Sequence, residues 1–267
     1  MIGLEGAVTV VTGGGAGVGK ALAAEAVRRG SAVVLAARSD ASQAVDELRR
    51  GGGVAEWFRT DVCEPDDWAA LRSFVLDRFG GVNVVVNNAA GGSGSGPLET
   101  ASPESVVEVF NTNVLGYIHG IRTFARDLRV AAEEGAPAYI LNVGSEHSLG
   151  VPPHVMPLSL YTVSKQAGLA ITEVARRDLA GTGIGVSLVA PGWVLTETVT
   201  GLIEQSPDFA QAVLPYAQPS DLVARLSFDG LLDGREVIVT NPKSVPFARE
   251  RVEKLLADYA WAEQLDV

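Results

Sequence analysis

The chain has 267 residues, 47% of them apolar and 20% charged. A single α/β domain of this size buries roughly three quarters of the surface its unfolded chain exposes, so folding requires neither a metal nor a disulfide. Against 21 Lys and Arg stand 32 Asp and Glu, a formal charge of −11; such a surface repels phosphate backbones and anionic lipid and argues against nucleic-acid or membrane binding as the main activity. The single cysteine, Cys63, cannot form an internal disulfide and fits a reducing compartment. A strand-like run begins by Ala7 with no signal-peptide pattern before it, and no apolar run is long enough to span a bilayer. The expectation is a cytoplasmic protein.

In chain order, strand-like runs fall at 7–12, 32–37, 54–59, 83–87, 138–143, 185–190 and 236–240. They are mostly continuous in apolar character rather than alternating, which suits strands covered on both faces. Helical patterns lie between them, at 19–29, 40–50, 65–79, 103–132 and 160–179. Strand–helix alternation implies right-handed crossovers and a mostly parallel sheet. The expected fold is α/β, a Rossmann-like doubly wound sheet of seven strands with helices on both faces. Nothing divides the chain, so residues 1–267 read as one domain. Residues 195–219, with three prolines among short helical pieces, read as a substrate lid; 242–267 form a C-terminal extension with an amphipathic helix at 246–260, able to cover the sheet edge or dock on a partner subunit.

Directly after the first strand stands Thr12-Gly13-Gly14-Gly15-Ala16-Gly17-Val18-Gly19, followed by a helix. Glycines there allow positive φ and close approach of backbone to a pyrophosphate, and the helix N-terminus offers free N–H groups to an anion. Further on, Tyr161 and Lys165 stand at i and i+4 in a helical stretch and share one face. A tyrosine of pKa about 10 is a weak acid–base group at neutral pH, and a nearby ammonium favours its phenolate.

The pattern T-G-x-x-x-G-x-G, using Gly13, Gly17 and Gly19, with Y-x-x-x-K after a serine-ended strand and before Pro191-Gly192, resembles the short-chain dehydrogenase/reductase family from about Leu4 to Thr200. That resemblance implies an NAD(P)-dependent oxidoreductase interconverting an alcohol and a carbonyl by hydride transfer. It implies a catalytic tetrad of Asn113, Ser145, Tyr161 and Lys165, with Lys165 lowering the Tyr161 pKa and holding the nicotinamide ribose. Asn113 would position a water linking Lys165 to solvent. Asp61-Val62 resembles the adenine-contacting pair, and Asn88-Ala89 belongs to an N-N-A-G-like segment in which Ala90 replaces the usual glycine. Pro191, Gly192, Val194 and Thr196 lie in the segment that binds the nicotinamide amide, and Val18 lies within the glycine loop.

Two assignments stay open at this point. Ser145 stands 16 positions before Tyr161, about three more than the family's usual count, which Ser148 meets; strand-end placement favours Ser145, with residues 150–157 as the bulge. At the end of the second strand, Ala37 replaces the acid usual in NAD-using relatives and Arg38-Ser39 follows. Arginine offers a donor fork for a 2′-phosphate, so NADP(H) is favoured over NAD(H); the alternative has Arg38 solvated and Asp40 on the ribose.

His119 reads as structural and Cys63 as a small buried residue; His147 and His154 flank the active-site loop and read as exposed loop residues by default, with contact to substrate as the alternative for either; no metal site is expected. The pocket walls, 92–96, 149–160, Trp193 and 198–216, are mostly apolar without a basic cluster, which suits a neutral, apolar ketone or secondary alcohol. The resemblance implies a homodimer or homotetramer through helices 103–132 and 160–179. A non-catalytic dinucleotide-sensing relative is the contrasting reading; such proteins commonly lack the tyrosine or lysine present here.

Overall fold

The computed structural model describes residues 3–92 and 95–265; the expectation that 93 and 94 line the pocket lies outside the described residues. Seven strands form one parallel sheet: β1 (Val8–Thr12), β2 (Ala32–Ala37), β3 (Ala55–Arg59), β4 (Val84–Asn87), β5 (Tyr139–Val143), β6 (Gly185–Ala190) and β9 (Val237–Val239), in the order β3-β2-β1-β4-β5-β6-β9. A separate parallel pair, β7 (Val194–Leu195) with β8 (Gln218–Pro219), brackets the predicted lid.

Successive side chains of a strand face opposite ways, and here both ways are interior. Val11 and Leu35 pack with α1 (Gly17–Arg28), α2 (Ser42–Arg50) and α9 (Ser220–Leu232), while Val10 and Val34 pack with α3 (Pro65–Phe79), α5 (Gly116–Glu133) and α6 (Ser159–Asp178). Helix α9 is an addition to the elements read from the sequence: Ala224, Phe228 and Leu231 close the core against Leu22, Ala23 and Ala26 of α1. Arg29 ties the two helices at the surface, 2.6 Å from Asp229.

The expected single helix over 103–132 is divided. It runs as α4 (Pro103–Phe110), capped by Ser102, then one π-helical turn, Asn111–Leu115, then α5. The extra residue in that turn carries Asn113 into the interior; π-bulges of this kind recur at functional sites. The segment expected to be a lid folds as α7 (Glu197–Gln205), α8 (Pro207–Val213) and a 3-10 turn, Leu214–Tyr216. The terminal helix α10 (Val245–Ala262) buries no residue, and edge strand β9 keeps Val239 exposed, so α10 does not cover the sheet edge.

Strand order reverses between β1 and β4, each with its own neighbours beyond. In open parallel sheets such a switch point leaves a crevice at the carboxyl ends of the strands, and the glycine loop, Asn88 and the end of β2 all lie there.

Candidate active site

The crevice opens into a cleft of about 420 Å³ lined by Gly13, Val18, Gly19, Arg38, Ser39, Asp61, Val62, Asn88 and Ala89, among others. Its floor is braced by side chains. The Thr12 hydroxyl accepts the backbone N–H groups of Asn88 and Ala89 (2.9 and 3.0 Å), and Asn88 Nδ2 donates to Thr12 O (2.8 Å). Gly13 has φ +63°, and a Cβ at Gly19 would stand 2.3 Å from Gly13 O, so the loop folds on itself only with glycine there. Helix α1 starts with no side-chain cap and no acidic residue in its first turn. Uncapped N–H groups in a positive-φ glycine turn form an anion cradle, and the donor set fits a dinucleotide pyrophosphate.

At the cleft mouth the Arg38 side chain is 66% exposed and 3.8 Å from Asp61. Asp40 is turned to α2, where it accepts the Ser42 backbone N–H at 2.8 Å as well as the Ser42 hydroxyl; those bonds hold its carboxyl below the usual range. Gly17 and Thr196 are neighbours: a Cβ at Gly17 would lie 3.3 Å from Thr196 Cγ2. Pro191 O accepts the Glu146 N–H at 2.7 Å, and a Cβ at Gly192 would meet Asn241 Nδ2. Val194 is buried in β7. The segment after β6 thus runs between the glycine loop and the Ser145 turn.

Four elements bring Asn113, Ser145, Tyr161 and Lys165 to one end of the sheet. Ser145, two residues past the end of β5, caps the 3-10 turn Glu146–Ser148, its hydroxyl accepting the His147 N–H at 3.3 Å. Ser148 is spent elsewhere: its hydroxyl donates to Lys165 O (2.7 Å) and accepts the Ser145 N–H (3.2 Å). Lys165 is buried in α6, its Nζ donating to Val143 O (2.8 Å) and Tyr117 Oη (3.2 Å) and standing about equally over the rings of Tyr161 (5.5 Å) and Tyr117 (5.6 Å). Asn113 donates to Ser164 Oγ (3.1 Å) and accepts the Gly91 N–H (2.9 Å).

Burial disfavours each charged form. It pushes the Lys165 ammonium down to about 8. It pushes the Tyr161 hydroxyl up, as does the Glu146 carboxylate nearby, with the Ser145 hydrogen bond pulling the other way. Burial sets the net direction at Tyr161, while the Lys165 Nζ, 5.5 Å from that ring centre, donates to Val143 O and Tyr117 Oη.

Two residues that sequence reasoning passed over join the site. Tyr117 follows Asn113 at i+4, a spacing that marks the shared helix face; its hydroxyl donates to Val143 O. Glu146 is buried beside Ser145, with Oε1 3.1 Å from His154 Nε2 and Oε2 accepting the Ser244 hydroxyl at 2.6 Å. His154 stacks on Tyr216 of the 3-10 turn after α8 (centroids 4.0 Å apart). His147 and His154 therefore are not exposed loop residues; the first is buried and the second sits among Glu146, Tyr216 and Phe247 of α10. His119 contacts Val62 O (3.2 Å), and Cys63 is half-buried against Thr112, its thiol pushed up by burial. Among the described residues no group of three or more His, Cys, Asp or Glu could hold a metal ion, and no helix is long and apolar enough to cross a membrane.

The short chain dehydrogenase family model matches residues 7–207. The chain is 31% identical to the A-factor type gamma-butyrolactone 1'-reductase (1S-forming) of Streptomyces virginiae over 219 residues, covering 81% of this chain and 82% of that protein. It is also 31% identical to a 2,5-dichloro-2,5-cyclohexadiene-1,4-diol dehydrogenase of Sphingobium indicum over 226 residues, 84% of this chain and 85% of that one. A short chain dehydrogenase/reductase of Burkholderia phymatum, solved in complex with NAD, superposes with a TM-score of 0.85 at 30% identity, covering 97% of each chain. The chain belongs to the short-chain dehydrogenase/reductase family and is an NAD(P)-dependent oxidoreductase.

Proposed function

We propose that the protein reduces a neutral, largely apolar ketone, or oxidises the matching secondary alcohol, with NADP(H) and with Tyr161 as the proton-transfer group. The observation that carries this reading is the buried Lys165 ammonium, fixed on Val143 O at 2.8 Å and standing 5.5 Å from the Tyr161 ring centre. The bound nicotinamide supplies or accepts the hydride. Tyr161, protonated at neutral pH as any phenol of ordinary pKa about 10 is, gives its proton to the carbonyl oxygen as negative charge develops there. Ser145 donates a hydrogen bond to the same oxygen. Lys165 opposes the charge left on Tyr161 and offers its remaining N–H to the nicotinamide ribose. Asn113 fixes the π-turn through Gly91 and Ser164 and leads protons toward Lys165.

In this reading Gly13, Gly17, Val18 and Gly19 cradle the pyrophosphate, Asp61, Val62, Asn88 and Ala89 hold the adenosine end, and Pro191, Gly192, Val194 and Thr196 face the nicotinamide amide. Arg38 and Ser39 take the 2′-phosphate. Their exposure at the cleft mouth, the apolar Ala37 beside them and the engagement of Asp40 with Ser42 support NADP(H). Both relatives named above carry a cyclic, uncharged compound in their names, which supports a compact cyclic substrate under a lid at 195–219. The exposed apolar residues Val107, Leu115, Ile118, Val163 and Val174 on α4 to α6 are read as a homodimer face; light scattering that returns a monomer would remove that part.

The test is a fluorescence titration with NADPH and NADH, followed by turnover of cyclic ketones and alcohols. Preference for NADPH and turnover lost in Tyr161→Phe are expected. Binding of both cofactors with equal affinity would refute the Arg38 assignment, and full turnover in Tyr161→Phe would refute the mechanism.

A further inference from the structure

His147 stands two residues after Ser145, is only 5% exposed, and has no role in the proton path described above. Its ring meets Tyr161 edge to face, with centroids 5.2 Å apart and planes at 79°. Its Nδ1 lies 2.8 Å from Thr162 Oγ1, and that hydroxyl donates its one hydrogen back to Leu158 O, also at 2.8 Å. Nδ1 therefore carries the ring proton and donates to Thr162. Burial, reinforced by His154 and Lys165, draws the imidazole down to about 4, so the ring is neutral and Nε2 presents a bare lone pair.

That lone pair has no protein partner among the described residues. Nor is it sealed away, because the only fully enclosed side-chain N or O without a partner among those residues is Asn87 Oδ1. His154 differs in both respects, its Nε2 being on Glu146 and its ring stacked on Tyr216. His147 is thus an acceptor fixed in orientation by Thr162, edge to face with the Tyr161 ring, its Nε2 not fully enclosed.

We propose that His147 Nε2 accepts a hydrogen bond from a second hydroxyl on the substrate, making hydroxyketones and diols the preferred substrate class. The inference rests on the oxidoreductase reading above and deepens it. A site holding a fixed polar group discriminates strongly against a substrate that leaves it unpaired.

The experiment compares cyclohexanone with 2-, 3- and 4-hydroxycyclohexanone in the holoenzyme, and reads the ratio of kcat/KM between the best hydroxylated compound and the parent. The wild-type ratio is expected to be about tenfold or more. His147→Phe, which keeps a ring against Tyr161 but has no acceptor, is expected to bring the ratio close to one. His147→Gln, whose amide oxygen accepts, is expected to keep part of it. NADPH titration of each variant reports folding, and Thr162→Val, which frees the imidazole, provides a second route to a lowered ratio. A wild-type ratio near one, or an unchanged ratio in His147→Phe with both rates falling together, would overturn the assignment and leave His147 a packing residue. No turnover of any of the four compounds by wild type, with either cofactor, would instead bring down the parent reading and this one with it.

Discussion

Gly19→Ala sets two effects of opposite sign against each other. Gly19 is the third residue of α1, and by helix propensity alone alanine there would stabilise by about 0.5–1 kcal/mol. The surroundings argue the reverse: the new Cβ would lie 2.3 Å from Gly13 O and 2.4 Å from Asn88 Nδ2. Both neighbours would have to retreat by about 1 Å, and one is backbone. Overpacking of this kind costs about 1–3 kcal/mol. It also strains the Asn88 bonds to Thr12 O (2.8 Å) and Gly13 O (3.3 Å), each contributing about 1 kcal/mol. Packing wins, with a net loss of roughly 1–3 kcal/mol and a fall in Tm of about 2–4 °C per kcal/mol. Because the displaced atoms are the cradle itself, NADPH affinity should fall at least about tenfold. Gly201→Ala is the counterpart: its nearest neighbour would be Gln205 Nε2 at 4.0 Å, so propensity acts alone and Tm should rise. The assay is calorimetric melting of both variants with an NADPH titration. A Gly19→Ala protein that melts at or above wild type and binds NADPH unchanged would refute the packing argument.

Arg38→Asp should weaken NADPH binding about 10- to 30-fold while sparing NADH; the side chain is 66% exposed, which caps the effect, and parallel loss of both cofactors would disprove a 2′-phosphate contact. Ser145→Ala should cut turnover by about 10²–10³-fold with cofactor binding retained, whereas Ser148→Ala, which removes the bond to Lys165 O, should chiefly lower Tm; the opposite pattern would move the tetrad serine to Ser148. His147 is held near 4 against 6.5 for an ordinary histidine, so the unfolded chain binds the extra proton first and stability falls as pH drops from 6.5 to 4. The contribution is up to about 3 kcal/mol, and His147→Gln should flatten the Tm–pH curve in that window; an unchanged slope would place the loss on other groups.

Much of the architecture was legible because its signals are local. Strands covered on both faces favour apolar runs, and all seven were bounded within a residue at either end. The tight turn needs glycine where a Cβ would strike Gly13 O, and two side chains share one helix face at i, i+4 spacing, as Tyr161 and Lys165 do in α6; both signals lie within a few residues of sequence. Helix α9 was not legible in the same way, since its apolar face makes sense only against α1, some 200 positions earlier (Arg29 to Asp229).

Tertiary structure alone decided the rest. Ser145 and Ser148 are the same chemical group three residues apart, and only the fold shows which hydroxyl is consumed by Lys165 O. The π-turn at Asn113 leaves no periodic trace in a helix of otherwise regular pattern. Glu146 reads as an ordinary loop acid until Ser244, 98 positions away, and His154 close around it. The direction of the Tyr161 shift likewise depends on how much water the assembled site excludes, and burial is a property of segments brought together across the chain, which no stretch of sequence carries by itself.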